Sequence, residues 1–566
     1  MLRVPHRLAT SLLVASFALG VGLFNTSLVG QTPKKAPPAA PKAVPSGRPI
    51  RVLFLGMDQE RPHNPAKMFP SLAQPLARRG IQLTYVADQA QALDPQRLKY
   101  YDVLMIYGNQ TNITPAQEAA LVGFVEGGKG LVAIHAASAM FTNSDKYLSL
   151  VGAHFLRHGT GDFTAEIVQP DHAVMAGIKP FSTWDETYVH DKHNTANRTV
   201  LMERVDAQGR EPWTWVRTQG LGRVFYTAYG HDERTWDKPE FTKLIENAVV
   251  WTLAGSTRQA FQRFEMPGVT YVDGYTVPNY ERRNPAPKYQ MPFEPDLAQR
   301  FMQTPAEFDI QLFASEPMIV KPISMNFDER GRLWVIESRD YPNVVLNGLP
   351  GNDEIKILED TNGDGRADKM TIFADKINLA TSLTFANGGV IVAAMPNMLF
   401  LKDTNGDDKA DVRQVLSTGW GMRDTHGEAS NLQYGPDNYI WGSVGYNGGN
   451  VSGKQFSQGA YRFKPDGSNF EVMVQSTNNT WGLGFNESFD VFGSTANGDP
   501  SWYMGIPGRF FEGLTGLPTA GGRAGGPPPA PATLGYQSLA QFTSIHFTTP
   551  YIRQVDNMGY YTAGAG

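Results

Sequence analysis

The sequence predicts two folded domains in series: an α/β domain on a parallel sheet, then an all-β propeller that is incomplete. Three observations carry this. Between residues 50 and 255, short apolar runs alternate with helix-period segments, the pattern of strands and crossover helices. Beyond residue 302, one strand–turn–strand unit recurs four times, at spacings of 58, 49 and 51 residues, a period that marks propeller blades. In the first domain, imidazoles and carboxylates stand where apolar strands stop, the edge at which open α/β sheets bind ligands.

The 566 residues allow several domains. A net charge of −5 and no basic cluster leave no footprint for nucleic acid. The absence of cysteine excludes disulfides, thiolate catalysis, zinc sites built on sulfur and covalent c-type haem in this chain. Arg3 and Arg7 precede an apolar run from Leu8 to about Leu23, and small residues lead to Gly30 and Gln31. This reads as a signal peptide over residues 1–30, with an uncleaved anchor as the alternative. A Pro/Ala-rich linker follows over 31–49. The mature protein is therefore expected outside the cytoplasm, periplasmic or extracellular.

The α/β domain is placed over 50–255. Arg51–Leu55, Ile81–Val86, Asp102–Tyr107, Gly130–Ile134 and Gly222–Ala228 read as strands, with helices over Met68–Arg79, from Thr114, and over Pro239–Ala254. Thr114, Pro115 and Gln117 supply N-cap, first-turn proline and capping box. A proline-bearing connector covers 256–301, and 302–566 is the propeller. Its units are Met325–Phe327 with Leu333–Val335, Leu383–Phe385 with Val390–Val392, Leu432–Tyr434 with Tyr439–Trp441, and Leu483–Phe485 with Val491–Phe492. Four are too few for most closed propellers. Gly521–Pro531 is Gly/Pro-rich, and no closing strand is legible before Gly566, so the chain reads as a fragment.

Eight of the eleven histidines lie between His63 and His231. His135 ends an apolar strand, and His154 and His158 follow it. His231 follows the last strand. His135, His231 and Glu186 are expected to carry proton transfer; His63, His154, His158, Asp185, Tyr188, Arg223 and Asp232 are expected to bind substrate. His135, His154, His158 and His231 are expected in one pocket. Imidazoles with one or two carboxylates suit zinc or another first-row divalent metal, or acid–base work on hydroxyl groups. Trp184, Trp213, Trp215 and Trp236 are either sugar-stacking faces or core.

In the second half, Asp360, Asn362, Asp364 and Asp368 occupy positions 1, 3, 5 and 9 of a calcium-type loop with Gly365 at 6. Ile372 replaces the usual glutamate at 12, so this is no EF-hand. Asp403, Asn405, Asp407 and Asp411 repeat the design, with Asp408 in place of the glycine. Calcium is expected at these turns, plain acidic hairpins being the alternative. His426 lies just before the Leu432–Tyr434 strand.

These residues carry resemblances. Gly130–Ala137, Gly152-x-His154-Phe155-x-x-His158, Asp185-Glu186-x-Tyr188 and Gly220-x-Gly222 through His231 resemble the ThuA-like (trehalose utilisation) domain, itself similar in fold to class I glutamine amidotransferases, a flavodoxin-like parallel sheet. The resemblance implies a role on sugars or 3-keto-sugars. It does not imply amidotransfer: His135-Ala136 stands about where that fold has its cysteine. Thr425–Glu428 with Gly435-Pro436-Asp437 is similar to glucose/sorbosone dehydrogenase propellers that use pyrroloquinoline quinone. That likeness implies His426 as the catalytic base and Asn478 and Asn479 as cofactor contacts, although Asn478 stands where the pattern has arginine. The nearer likeness is to the propeller of exported planctomycete and verrucomicrobial membrane-bound dehydrogenases, which implies a cytochrome electron acceptor. The rival expectation is a non-catalytic scaffold that binds carbohydrate or protein.

Overall fold

The computed structural model of the protein describes residues 47–57, 62–274, 276–279, 282, 284, 286–342, 350–475, 479–495, 501–505, 507–511 and 542–544. The expected signal peptide, most of the linker, Asn478 and the Gly521–Pro531 stretch lie outside them.

The first domain is built on strands β1 (Ile50–Leu55), β2 (Ile81–Val86), β3 (Val103–Ile106) and β4 (Gly130–Ile134), an arm made of β5 (His154–Thr164) and β7 (Ser182–Asp191), the short β6 (Glu166–Ile167), and β8 (Arg198–Asp206), β9 (Gly209–Gln219) and β10 (Gly222–Thr227). The main sheet runs β2-β1-β3-β4-β10-β9-β8-β6. Its first five strands are parallel, and β9, β8 and β6 continue it antiparallel. The five strands read from sequence form the expected parallel sheet, and three further strands extend it antiparallel. Most of that extension lies in 198–219, where two long strands are joined by the Ala207-Gln208 turn rather than by helices.

β1, β3 and β4 are buried almost throughout, because helices cover both faces. Met68, Phe69, Leu72 and Leu76 form one stripe of the Pro65–Ala77 helix, and Phe241, Leu244, Ile245, Ala248 and Val249 one stripe of Pro239–Thr252. All belong to a single core with the strands. The Pro115–Glu126 helix opens with the expected capping box: Gln117 N–H donates to Thr114 Oγ1 and Thr114 N–H to Gln117 Oε1. Gly222 is required by space, since a Cβ there would lie 2.0 Å from the Val125 carbonyl oxygen.

The described residues of the second half form one small two-stranded sheet and four four-stranded antiparallel blades. Their two inner strands are Pro322–Phe327 with Leu333–Glu337, Ala380–Ala386 with Gly389–Ala394, Ala429–Tyr434 with Ile440–Val444, and Thr480–Phe485 with Val491–Thr495. These are the four repeats read from sequence. Side chains tie neighbouring inner strands: Leu432 N–H donates to Ser382 Oγ (2.8 Å), Asn431 Nδ2 to the Trp481 carbonyl (2.6 Å) and Gln433 Nε2 to that of Leu483 (2.7 Å). No helix among the described residues is long and apolar enough to cross a membrane.

Candidate active site

In the parallel part of the sheet the chain leaves β1 outward to β2, then returns to β3 on the other side. Such a switch opens a crevice at the carboxyl ends of the strands. Three imidazoles enter it from that edge: His63 after β1, His135 directly after β4 and His231 after β10. The acid comes from elsewhere. The β5–β7 arm pairs Thr160 with Glu186 and His158 with Tyr188, and alternation along β7 sends Glu186, Tyr188 and His190 to one buried face.

Glu186 is the hub. His135 Nε2 lies 3.2 Å and His63 Nε2 3.7 Å from its Oε2; His231 Nδ1 lies 3.3 Å and His158 Nδ1 3.6 Å from its Oε1. Burial pushes the Glu186 carboxyl up, but the facing rings of His135, His231 and His63 outweigh this and hold it well below the usual carboxylate range. Glu186 in turn raises His231, whereas burial lowers His63. The donor atoms of His63, His135, Glu186 and His231 all lie within 4.8 Å of one another, so these four residues could together hold a metal ion.

The surroundings set each ring. His135 has φ +46°, the left-handed region that non-glycine residues rarely occupy. Its Nδ1 is held by the Ala228 carbonyl (2.6 Å), and Tyr188 stacks on its face at 4.1 Å. Gly230 (φ +133°) lets that segment pass close: a Cβ would meet Ile134 at 3.0 Å and His135 at 3.3 Å. Behind His135, Tyr226 donates to the His135 carbonyl (3.0 Å) and lies 2.9 Å from Ser138 Oγ and 3.0 Å from His190 Nε2. His190 bonds Glu211 at 2.8 Å through its other nitrogen. This inner network of His190, Glu211 and Tyr226 is absent from the sequence reading; the alternation of Glu186, Tyr188 and His190 was the signal that could have revealed it.

The structure brings together His63, His135, His158, Glu186, Tyr188 and His231. It places four other expected residues differently. His154 bonds Asp191 at 2.7 Å and is not at Glu186. The β5–β7 register skips Leu156, and this extra residue turns His154 and His158 to opposite sides of the strand. Arg223 is near the amino end of β10, away from the crevice, and donates to the Trp251 carbonyl. Asp185 is fully buried and accepts from the backbone of Glu186, Gly230 and His231 and from Thr235, so it supports the loop that carries His231. Asp232 caps the short Glu233–Trp236 helix and pairs with Arg234. Trp213, Trp215 and Trp236 are core; Trp184 is half-buried under the Arg234 guanidinium.

In the propeller, inner strands and the segments leading into them line a half-open cavity of about 630 Å³ whose lining includes Asn326, Tyr341, His426, Glu428, Asn431 and Trp481. His426 Nδ1 lies 2.8 Å from Asp424, and its ring meets Tyr341 edge-on. Glu428, overlooked in the sequence, is 6% exposed, and its Oε1 is buried with no bonding partner. Burial first, then Asp353 and Asp424, push its carboxyl up to about 8. Asn479 is buried beside Gly445. No lysine or arginine lines this cavity among the described residues.

The two acidic loops are equivalent hairpins joining the outer strands of the first two blades. Asp360 accepts from the backbone of Gly363, Asp364 and Gly365, and Asp403 from that of Asn405, Gly406 and Asp408. Asp408, at φ +61° where the first loop has glycine, bonds Arg332 of the preceding blade at 2.9 Å.

The comparisons agree with this division. Residues 51–252 match the family model described as "Trehalose utilisation" (ThuA), and residues 294–566 match a domain of unknown function, DUF7133. Among solved structures, a putative ThuA-like protein from Bacteroides uniformis is 18% identical, covers 38% of this chain and 94% of its own, and has a TM-score of 0.32. One from Parabacteroides merdae is 17% identical over 36% of this chain and 90% of its own, TM-score 0.32. A putative oxidoreductase (glucose dehydrogenase) from Thermus thermophilus is 13% identical over 34% of this chain and 63% of its own, TM-score 0.25. No curated protein matches the chain. The chain carries a ThuA-like domain followed by an all-β region of four blades in a propeller arrangement.

Proposed function

We propose that this protein is an exported carbohydrate-acting enzyme whose reaction centre is the Glu186 cluster of the ThuA-like domain, with sugars or 3-keto-sugars as substrates. One observation carries the reading: four imidazoles lie within 3.2–3.7 Å of a single buried carboxylate at the carboxyl edge of the sheet. Sugars react through hydroxyl groups and, once oxidised, through carbons next to a carbonyl. Both need a proton removed at one atom and delivered at another. His158 is 39% exposed at the mouth of the cluster and can exchange protons with solvent. His135 and His63 are held from behind, by the Ala228 carbonyl and Asn109, and so orient toward bound substrate.

The propeller supports a second reading, as the carbohydrate-binding part of the same protein. Its cavity offers the exposed Trp481 ring together with amide and hydroxyl side chains, which suits stacking and hydrogen bonding to a neutral sugar. A sugar panel, run with and without quinone and an electron acceptor such as a cytochrome, tests both readings. Modification of a sugar without acceptor, abolished in Glu186→Gln, is expected. Acceptor-dependent oxidation abolished only in His426→Ala would move the chemistry to the propeller and overturn the assignment to Glu186.

A further inference from the structure

We infer that His63, His135, Glu186 and His231 bind one divalent first-row transition-metal ion. The inference uses the same residues as the proposed reaction centre but does not depend on the substrate being a sugar.

The partner of each ring fixes which nitrogen carries hydrogen. His135 Nδ1 faces the Ala228 carbonyl at 2.6 Å. A carbonyl only accepts, so Nδ1 holds the proton and, in the neutral ring, Nε2 is left with a lone pair. That lone pair points at Glu186 Oε2, 3.2 Å away, which is also an acceptor. His63 repeats the arrangement: Nδ1 lies 2.8 Å from Asn109 Oδ1, and Nε2 faces the carboxylate at 3.7 Å. An imidazole anchored through one nitrogen to a carbonyl or amide oxygen, with the other directed inward, is how metal-binding histidines are held.

Two of the inward atoms are unsatisfied. His63 Nε2 and His231 Nδ1 are buried and have no hydrogen-bond partner. A proton on His135 Nε2 would bond to Glu186 and leave those two nitrogens as they are. Protons on all three rings would crowd three positive charges around one carboxylate in a site where His135 is fully buried and His63 nearly so. One cation satisfies all four donors together.

Spacing and donor type agree. The nitrogens stand 3.2, 3.7 and 3.3 Å from the carboxylate oxygens, and ligands about 2.0–2.1 Å from a shared ion are roughly 3–4 Å apart. Three imidazoles and one carboxylate favour zinc, manganese or iron over calcium and magnesium, which prefer all-oxygen shells. Tyr188 covers His135, while His231 and His158 form the more exposed side, leaving that side open for a substrate oxygen.

The test uses the full chain, stripped of metal and titrated calorimetrically with Zn²⁺ and with Mn²⁺ in excess Ca²⁺, which occupies any oxygen-only sites. Bound metal is then counted after gel filtration. One equivalent is expected for the wild type and for His154→Ala, with affinity at least about tenfold weaker in Glu186→Gln and in His231→Ala, the most exposed ligand. Circular dichroism separates lost binding from lost folding. Co²⁺ loading is a second readout: visible ligand-field bands are expected in the wild type and lost in Glu186→Gln. A folded wild type that takes up neither Zn²⁺ nor Mn²⁺ overturns the inference, as does stoichiometric binding unchanged in both variants. Metal binding without sugar turnover sinks the proposed function and leaves this inference standing; turnover by a protein that binds no metal does the reverse.

Discussion

His135 Nε2 lies 3.2 Å from Glu186 Oε2, although the two residues are 51 positions apart and belong to different structural units, a sheet edge and a folded-over arm. Every proposed role of the first domain depends on that approach.

The support behind His135 should be measurable. Tyr226→Phe removes the hydroxyl that donates to the His135 carbonyl and meets Ser138 and His190. Ser138 Oγ still donates to the His135 carbonyl, but His190 Nε2 is left unpaired, which costs about 1–3 kcal/mol. Chemical denaturation should show this loss with an unchanged m-value, and sugar turnover should fall with it. Full stability in the variant would mean that the network is redundant.

His158→Ala should separate reactivity from folding. The ring is partly exposed, and its one hydrogen bond is to the Gly159 carbonyl, so stability should change by less than about 0.5 kcal/mol. Turnover should fall about 10²–10⁴-fold if the ring transfers protons. A pH–rate profile identical to the wild type's would exclude that role.

Glu428 predicts a pH dependence with a definite sign. Its folded carboxyl keeps the proton up to about pH 8, whereas an unperturbed one releases it near 4.5. Between those values the folded state binds more protons, so stability falls as pH rises, by up to a few kcal/mol. Glu428→Gln should abolish this slope and raise the melting temperature most at pH 8 and above. Parallel melting curves for both proteins across pH 5–9 would show that the carboxyl does not titrate as its burial requires.

Calcium at the acidic loops is expected to raise the melting temperature of the protein, and EGTA should reverse the shift. Asp360→Asn should abolish most of the response, since Asp360 anchors the first loop. An unchanged melting curve would assign the same carboxylates to capping turn amides.

Whatever depends on neighbours along the chain was legible in the sequence. Alternating and continuous apolar runs placed β1, β2, β3, β4 and β10, because a strand's burial pattern is written at its own positions. The capping box at Thr114, the four blade repeats and His135 at a strand end are equally local. Distant segments set the rest. One extra residue at Leu156 reverses the strand face seen by everything before it, so His154 pairs with Asp191 while His158 reaches Glu186. Arg223 shares a motif with His231 but sits at the amino end of the strand whose carboxyl end leads to His231. Tertiary structure also decided that His63, His135 and His231, from three different loops, meet one carboxylate from a hairpin arm. The sequence by itself determined which residue types stand at the strand ends. Only the switch in strand order and the folding of the β5–β7 arm determined which of them meet, because the length of chain between them carries no information about their separation in space.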